Sequence, residues 1–571
     1  MLKLSRSSKT GLFIQSCFCF ALGFYGLCAE TNYKNTAYLH NPDDSVNFWV
    51  FFKDRGPSGN LEKELEILLN NRQKQYKKLN LNKIPRSPDQ SDLPPYPEYI
   101  NNIEKIPVRI LSVSKWLNAL CVRAVPAALP QIKNLSFVKQ IMPAGFYHKE
   151  ITEPLNVKPK QSADPDSNLL KPYLEQLNIP KLDSLIRKER GVNPGSSIVI
   201  GVFDASFDLS HRALQHLRKR VIADSDFVDK DGELSTPDNS SFSHGSAVLS
   251  IIAGLDSGIY SGPAWASRFI LARTEDDDTE TRIEEYNFIS ALEWAESIGV
   301  DIINVSLGYR YDFEDSTVVI LDEDMLNHYL QIEPWRTGLS IGDTINIKYD
   351  LPFGQFDGST LPISRAVSMA SDKGILVCVS MGNNGDLEKT LHSPADADKI
   401  ISIGGVNLDG SYYKKSSRGP TADGRIKPDL AACGHYVPFA STTDTNGYLF
   451  NSGTSFAAPL ITGGCALLLQ LWRTGGKIIP AAEFIDSLKK YASNSKSPDN
   501  YIGWGIPDFA MANHFSESSI NGINIFPIPY RGRENVVFQF TEKSMREPFT
   551  VEIYTLSGRF IWTETKNYPD T

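Results

Sequence analysis

The chain has 571 residues, 41% of them hydrophobic and 22% charged, enough for several domains and a large core. Its net charge of −9 weighs against nucleic acid as a partner. No Cys/His cluster has the spacing of zinc ligands, so no metal is assigned.

Lys3, Arg6 and Lys9 precede an apolar stretch from Gly11 to Ala29, followed by Glu30-Thr31-Asn32. This reads as a secretory signal peptide over residues 1–29 with cleavage after Ala29, the alternative being an uncleaved anchor of nearly membrane-spanning length. Beyond it only Cys121, Cys378, Cys433 and Cys465 remain, which implies no disulfide framework. Cys378 and Cys465 fall in predicted core elements and are expected as buried thiols.

From residue 30 to 167 the pattern is a small α+β unit. Asn47 to Phe52 reads as a strand, Leu61 to Leu79 as a charged amphipathic helix, and Leu111 to Val122 as a further strand region; Phe137 to Ile141 follows another short helical stretch. Lys158 to Ser167 is a polar, Pro-containing linker, expected to be exposed and cleavable.

The β-branched run Ser197 to Phe203 predicts a central parallel strand, and Asp204 stands at its end, where open α/β sheets place their chemistry. Small residues surround His244 in Ser243-His244-Gly245-Ser246-Ala247, and Val248, Ile251 and Ile252 bury the helix that follows. Ile375 to Gly385 is an apolar strand running into a Gly-Asn turn. Asn451-Ser452-Gly453-Thr454-Ser455 then sets a serine between small residues where an apolar helix begins, with Pro459 expected in its first turn. A serine there lies in the positive end of the helix dipole, and its N–H points at any developing anion. By itself, an isolated Gly-Thr-Ser reads more readily as an N-cap serine before a core helix, and other residues decide the matter.

A serine hydroxyl is a weak nucleophile until a base takes its proton and a third group orients that base. Asp204, His244 and Ser455, in that order, supply the three groups. A competing signal, Gly338-Leu339-Ser340-Ile341-Gly342, matches the Gly-x-Ser-x-Gly elbow. Its flanks give neither a core strand nor a helix start, so it reads as a loop.

The blocks around Asp204, His244 and Ser455 resemble those of the subtilisin-like serine endopeptidases, the subtilases. Met381-Gly382-Asn383-Asn384-Gly385 and Asp301-Ile302-Ile303-Asn304-Val305-Ser306-Leu307-Gly308 extend the resemblance, which runs from roughly Lys171 to Phe509. It implies a doubly wound, mostly parallel α/β domain over 168–515. It further implies Asp204, His244 and Ser455 as a triad, Asn383 as the oxyanion amide, and Ser306, Leu307, Gly308, Ser380 and Gly382 as substrate-binding residues. Ala205 and Ser206 depart from the family pattern, which has Thr or Ser and then Gly after the acid.

The same resemblance makes residues 30–167 an inhibitory prodomain, of the kind found in secreted subtilases of Bacteroidetes-type bacteria, with self-processing between about Glu150 and Leu170. Residues 516–571 are β-rich, with strands expected at Ile523–Pro529, Val536–Phe540 and Phe549–Arg559 as part of a β-sandwich. They resemble the opening half of a type IX sorting domain. An insertion over about 309–358 is expected to overhang the substrate cleft or to elaborate the surface.

These features together describe an endopeptidase acting on protein or peptide substrates, monomeric, secreted or on the surface of a Gram-negative bacterium, with its own prodomain as inhibitor and the secretion machinery as a partner of its C-terminal region. No cofactor is required for the chemistry; structural calcium stays open, without a ligand set. The alternative is a catalytically silent scaffold serving as a surface binding module.

Overall fold

The computed structural model describes residues 46–57, 59, 61–81, 83–125, 128–143, 168–235, 243–275, 284–310, 353–385, 387–475 and 480–513, with isolated backbone strands elsewhere. The expected signal segment, the linker with most of the expected processing site, the acidic stretch Asp276-Asp277-Asp278, the Gly338–Gly342 loop and most of the insertion lie outside the described residues.

The N-terminal region forms strand β1 (Val46–Phe52), a helix (Leu61–Lys78), β2 (Val108–Ser114), β3 (Ala119–Ala124), a short helix (Leu129–Lys133) and β4 (Val138–Pro143). The sheet order is β2-β3-β1-β4, with β2–β3 and β1–β4 antiparallel. The strand region expected at 111–122 is in fact two strands. Between them Asn118 turns the chain at φ 50°, a left-handed conformation that asparagine tolerates better than most residues.

Seven strands make the large sheet: β5 (Val199–Asp204), β6 (Val221–Asp226), β9 (Arg268–Arg273), β10 (Ile302–Val305), β13 (Leu376–Ser380), β14 (Ile401–Val406) and β15 (Leu430–Cys433). Between β6 and β9 lies the hairpin of β7 (Leu255–Asp256) and β8 (Tyr260–Ser261), and between β10 and β13 the pair β11 (Thr317–Ile320) and β12 (Thr344–Ile347). The order β15-β14-β13-β10-β5-β9-β6 is parallel throughout. Every residue of β5, β10, β13, β14 and β15 is buried, as expected for strands covered on both faces. Cys121, Cys378, Cys433 and Cys465 are free thiols and buried.

Register decides where the chemistry collects. Phe203 stands opposite Val305, and Val305 opposite Val379. The next residues along these three strands, Asp204, Ser306 and Ser380, therefore share one row at the carboxyl edge of the sheet. From β5 the chain passes to the edge strand β6 and returns through β9, then crosses to β10 on the other side of β5 and runs outward through β13, β14 and β15, so this row lies at the point where the strand order switches.

The N-terminal sheet lies against the helix Glu284–Ile298, whose buried carboxylates receive it. Glu293 accepts from Ser114 Oγ (2.6 Å), Trp116 N (3.1 Å) and Lys115 N (3.2 Å). Glu285 accepts from Trp49 Nε1 at 3.1 Å, and Glu296 pairs with Arg72 at 2.7 Å. Burial raises the pKa of Glu293 and Glu296 above the ordinary carboxylate range.

After β15 come β16 (Val437–Ala440) and β17 (Tyr448–Asn451), an antiparallel pair that leads into the 21-residue helix Thr454–Thr474. In the C-terminal region β18 (Ile523–Phe526) pairs with β19 (Val537–Phe540), and β20 (Phe549–Tyr554) with β21 (Phe560–Lys566), both antiparallel. The last of these strands was not among those expected from the sequence.

Candidate active site

Asp204 closes β5, with its side chain wholly buried. Its Oδ1 accepts from Ala205 N at 2.9 Å and lies 2.7 Å from His244 Nδ1, while Oδ2 has no partner among the described residues. His244 opens the helix His244–Ala253, capped by Ser243, whose side chain accepts from Ser246 N. The first turn reaches Asp204 only because residue 245 is glycine. A Cβ there would stand 2.4 Å from Ser206 O and 2.9 Å from Asp204 Cβ. Ser206 needs no left-handed backbone; its hydroxyl lies 3.2 Å from Ser243 Oγ, tying the departure from the family pattern to the cap of the His244 helix.

Ser455 is the second residue of its helix, so its N–H has no intrahelical acceptor. Its Oγ lies 3.0 Å from Ser306 O, to which it donates. Pro459, expected in the first turn, lies instead inside the helix, which starts at Thr454. A proline there denies the carbonyl four residues back, that of Ser455, its helical partner. Ser306 Oγ takes that place, donating to Ser455 O at 2.9 Å. Asn304 Nδ2 in turn donates to Ser306 Oγ (2.9 Å), and Thr462 Oγ1 to Asn304 Oδ1 (2.8 Å), so a buried polar chain ties β10 to the serine helix. Nothing in the residue order marks Asn304 and Thr462 as partners.

Asn383 follows the turn after β13. Its Oδ1 accepts from Thr454 N at 2.9 Å, which fixes the amide orientation because a backbone N–H can only donate. The NH₂ group is thereby turned away from that bond. A Cβ on Gly453 would meet Asn383 Nδ2 at 3.3 Å, which places the amide beside the start of the Ser455 helix. Asn384 is engaged elsewhere: its N–H donates to Ser417 Oγ (3.0 Å) and its Oδ1 pairs with His392 Nε2.

Ser306, Leu307 and Gly308 leave β10 as one segment, and Ser380 Oγ donates to Leu307 O at 3.4 Å. Gly382, at φ 98°, gives its N–H to Thr454 Oγ1 at 3.1 Å. The five expected substrate-binding residues thus flank the Ser455 helix start on two neighbouring strand ends. Among the described residues no three His, Cys, Asp or Glu side chains come together as a metal cradle.

The subtilase family profile (peptidase S8) matches residues 195–505, and a Bacteroidota peptidase S8 propeptide profile matches residues 47–163. Serine protease AprX of Bacillus subtilis (strain 168) is 27% identical over 329 residues, 53% of this chain and 66% of AprX. Subtilisin DY of Bacillus licheniformis is 25% identical over 304 residues, 52% of this chain and 85% of that protein. The solved prenylagaramide maturation protease PagA aligns with a TM-score of 0.40 at 21% identity, over 59% of this chain and 98% of that one. With more than half of its length matched, the chain belongs to the subtilase family, and its subtilase domain follows a propeptide domain of the Bacteroidota type.

Proposed function

We propose that the protein is a secreted serine endopeptidase, made as a self-processing precursor. The observation that carries this reading is the 2.7 Å contact between Asp204 Oδ1 and His244 Nδ1 at the sheet edge that also holds Ser306 and the Ser455 helix. Asp204 sets the imidazole tautomer and stabilises the imidazolium. His244 takes the proton of Ser455 Oγ as the hydroxyl turns from Ser306 O to the substrate carbonyl, and then gives it to the leaving amine. The Asn383 NH₂ and the Ser455 N–H hold the oxyanion.

On this reading the N-terminal domain is the intramolecular inhibitor, and the chain between about 150 and 170 is cut by the enzyme itself. Export follows from the basic and apolar segment over 1–29. The C-terminal strands carry the sorting role that their sequence suggests. Expression of the precursor beside its Ser455→Ala variant tests the whole: intact mass should report a processed wild type that hydrolyses casein and a full-length, silent variant. A variant processed like the wild type would refute self-cleavage, and an unlabelled wild-type serine under fluorophosphonate would refute the enzyme.

A further inference from the structure

Resting on the protease reading, we propose that His392 is the specificity-determining residue of the primary pocket, filling its inner end so that only a small side chain fits on the acyl side of the scissile bond.

On the protease reading, the pocket walls are the two segments Ser306–Gly308 and Ser380–Gly382. His392 touches both. A Cβ placed on Gly382 would stand 2.3 Å from His392 Cδ2 and 2.5 Å from its Cγ; one placed on Gly308 would stand 2.8 Å from His392 Cβ and 3.0 Å from Nδ1. Such separations are possible only against glycine, so the imidazole packs directly on both walls at once.

The ring is also held in place. Its backbone N–H donates to Met381 O at 3.0 Å, which stitches residue 392 to the second wall. Ser393 N donates to Tyr309 O (2.9 Å) and Tyr309 N to Ser393 O (2.7 Å), which stitches the next residue to the continuation of the first. Nε2 is paired with Asn384 Oδ1. With main-chain bonds from residue 392 to one wall and from residue 393 to the residue after the other, and a side-chain anchor, the imidazole has little room to swing aside for a bulky substrate group. A slot bounded by two backbone segments and closed by a fixed ring suits glycine, alanine or serine and excludes leucine or phenylalanine.

The test is cleavage profiling of a peptide library by the full chain, with fluorophosphonate labelling of the same preparation. Because one methylene in a tight apolar pocket shifts kcat/KM by about 10–200-fold, the wild type should favour Ala over Phe or Leu at that position by at least about 100-fold. His392→Gly should raise the Phe/Ala ratio of kcat/KM at least about tenfold; His392→Ser serves if the glycine variant melts early. A labelled wild type that cleaves as readily after Phe or Leu overturns the proposal, as does a folded His392 variant with an unchanged ratio. A chain that neither labels nor cleaves refutes the protease reading itself, and this proposal with it.

Discussion

Ser306 and Ser455 exchange two hydrogen bonds, the hydroxyl of each donating to the carbonyl of the other, at 2.9 and 3.0 Å. The first exists because Pro459 leaves the Ser455 carbonyl without a helical partner, and the second holds the hydroxyl proposed as nucleophile on the strand end that it must leave to react. Ser306→Ala should cost about 1–2 kcal/mol of stability by leaving that carbonyl unpaired. In a Pro459→Ala background, where a backbone N–H is restored to the carbonyl, the same change should cost clearly less. Denaturant midpoints of the four proteins in this cycle measure the coupling; additive losses would show that the proline and the serine act independently.

The two neighbouring asparagines separate cleanly by their partners. Asn383→Ala should lower kcat about 10²–10³-fold with little change in KM, since the amide proposed for the oxyanion would act on charge that develops in the transition state. Asn384→Ala removes a partner of His392 instead, and its effect should appear in the peptide profile more than in kcat. Steady-state kinetics on one short peptide substrate distinguish the two, and a kcat collapse confined to Asn384→Ala would reverse the assignment.

Replacing Asp204 by Asn should reduce kcat by about 10⁴, because an amide donating to His244 Nδ1 forces the wrong tautomer. The fold should persist, since asparagine keeps the size of the buried side chain, although Ala205 N and His244 Nδ1 share the one oxygen Oδ1 and the Ala205 bond is lost when the amide nitrogen turns to the imidazole. Melting temperature and turnover measured on the same preparation check this; a variant with more than about a tenth of wild-type turnover contradicts it.

Burial, with Arg310 nearby, brings the pKa of His392 down to about 4 from its ordinary 6.5. The folded ring is therefore neutral, while the unfolded chain takes up a proton below about 6.5. The stability this contributes is full above pH 6.5 and is lost as pH falls toward 4. His211 and His216 are lowered by burial in the same direction and add to the slope. Urea midpoints between pH 7 and 4 should fall less steeply for His392→Gln than for the wild type, and parallel curves would show that His392 is charged in the fold.

At the propeptide interface one carboxylate gathers three donors, and Glu293→Ala would leave Ser114 Oγ, Lys115 N and Trp116 N without it. Each unmatched buried donor costs about 1–3 kcal/mol. Limited proteolysis of the full chain should digest residues 47–143 at least about tenfold faster in the variant, whereas an unchanged rate would mean that apolar burial alone holds the domain.

The sequence by itself determined the elements whose signals are local. The apolar run ending in Asp204, the small residues around His244 and the Gly-Thr-Ser opening of a long apolar helix each announce themselves within about ten residues, because strand period, helix caps and close approach are short-range constraints. Tertiary structure alone decided the rest. Register put Asp204, Ser306 and Ser380 in one row; pairing split the region from residue 108 to 124 into two strands; packing showed that Pro459 leaves a carbonyl for Ser306 to satisfy and that the His392 side chain packs on both Gly308 and Gly382. Each of these joins residues far apart in the chain, and no spacing or periodicity encodes such a contact before the sheet brings the partners together.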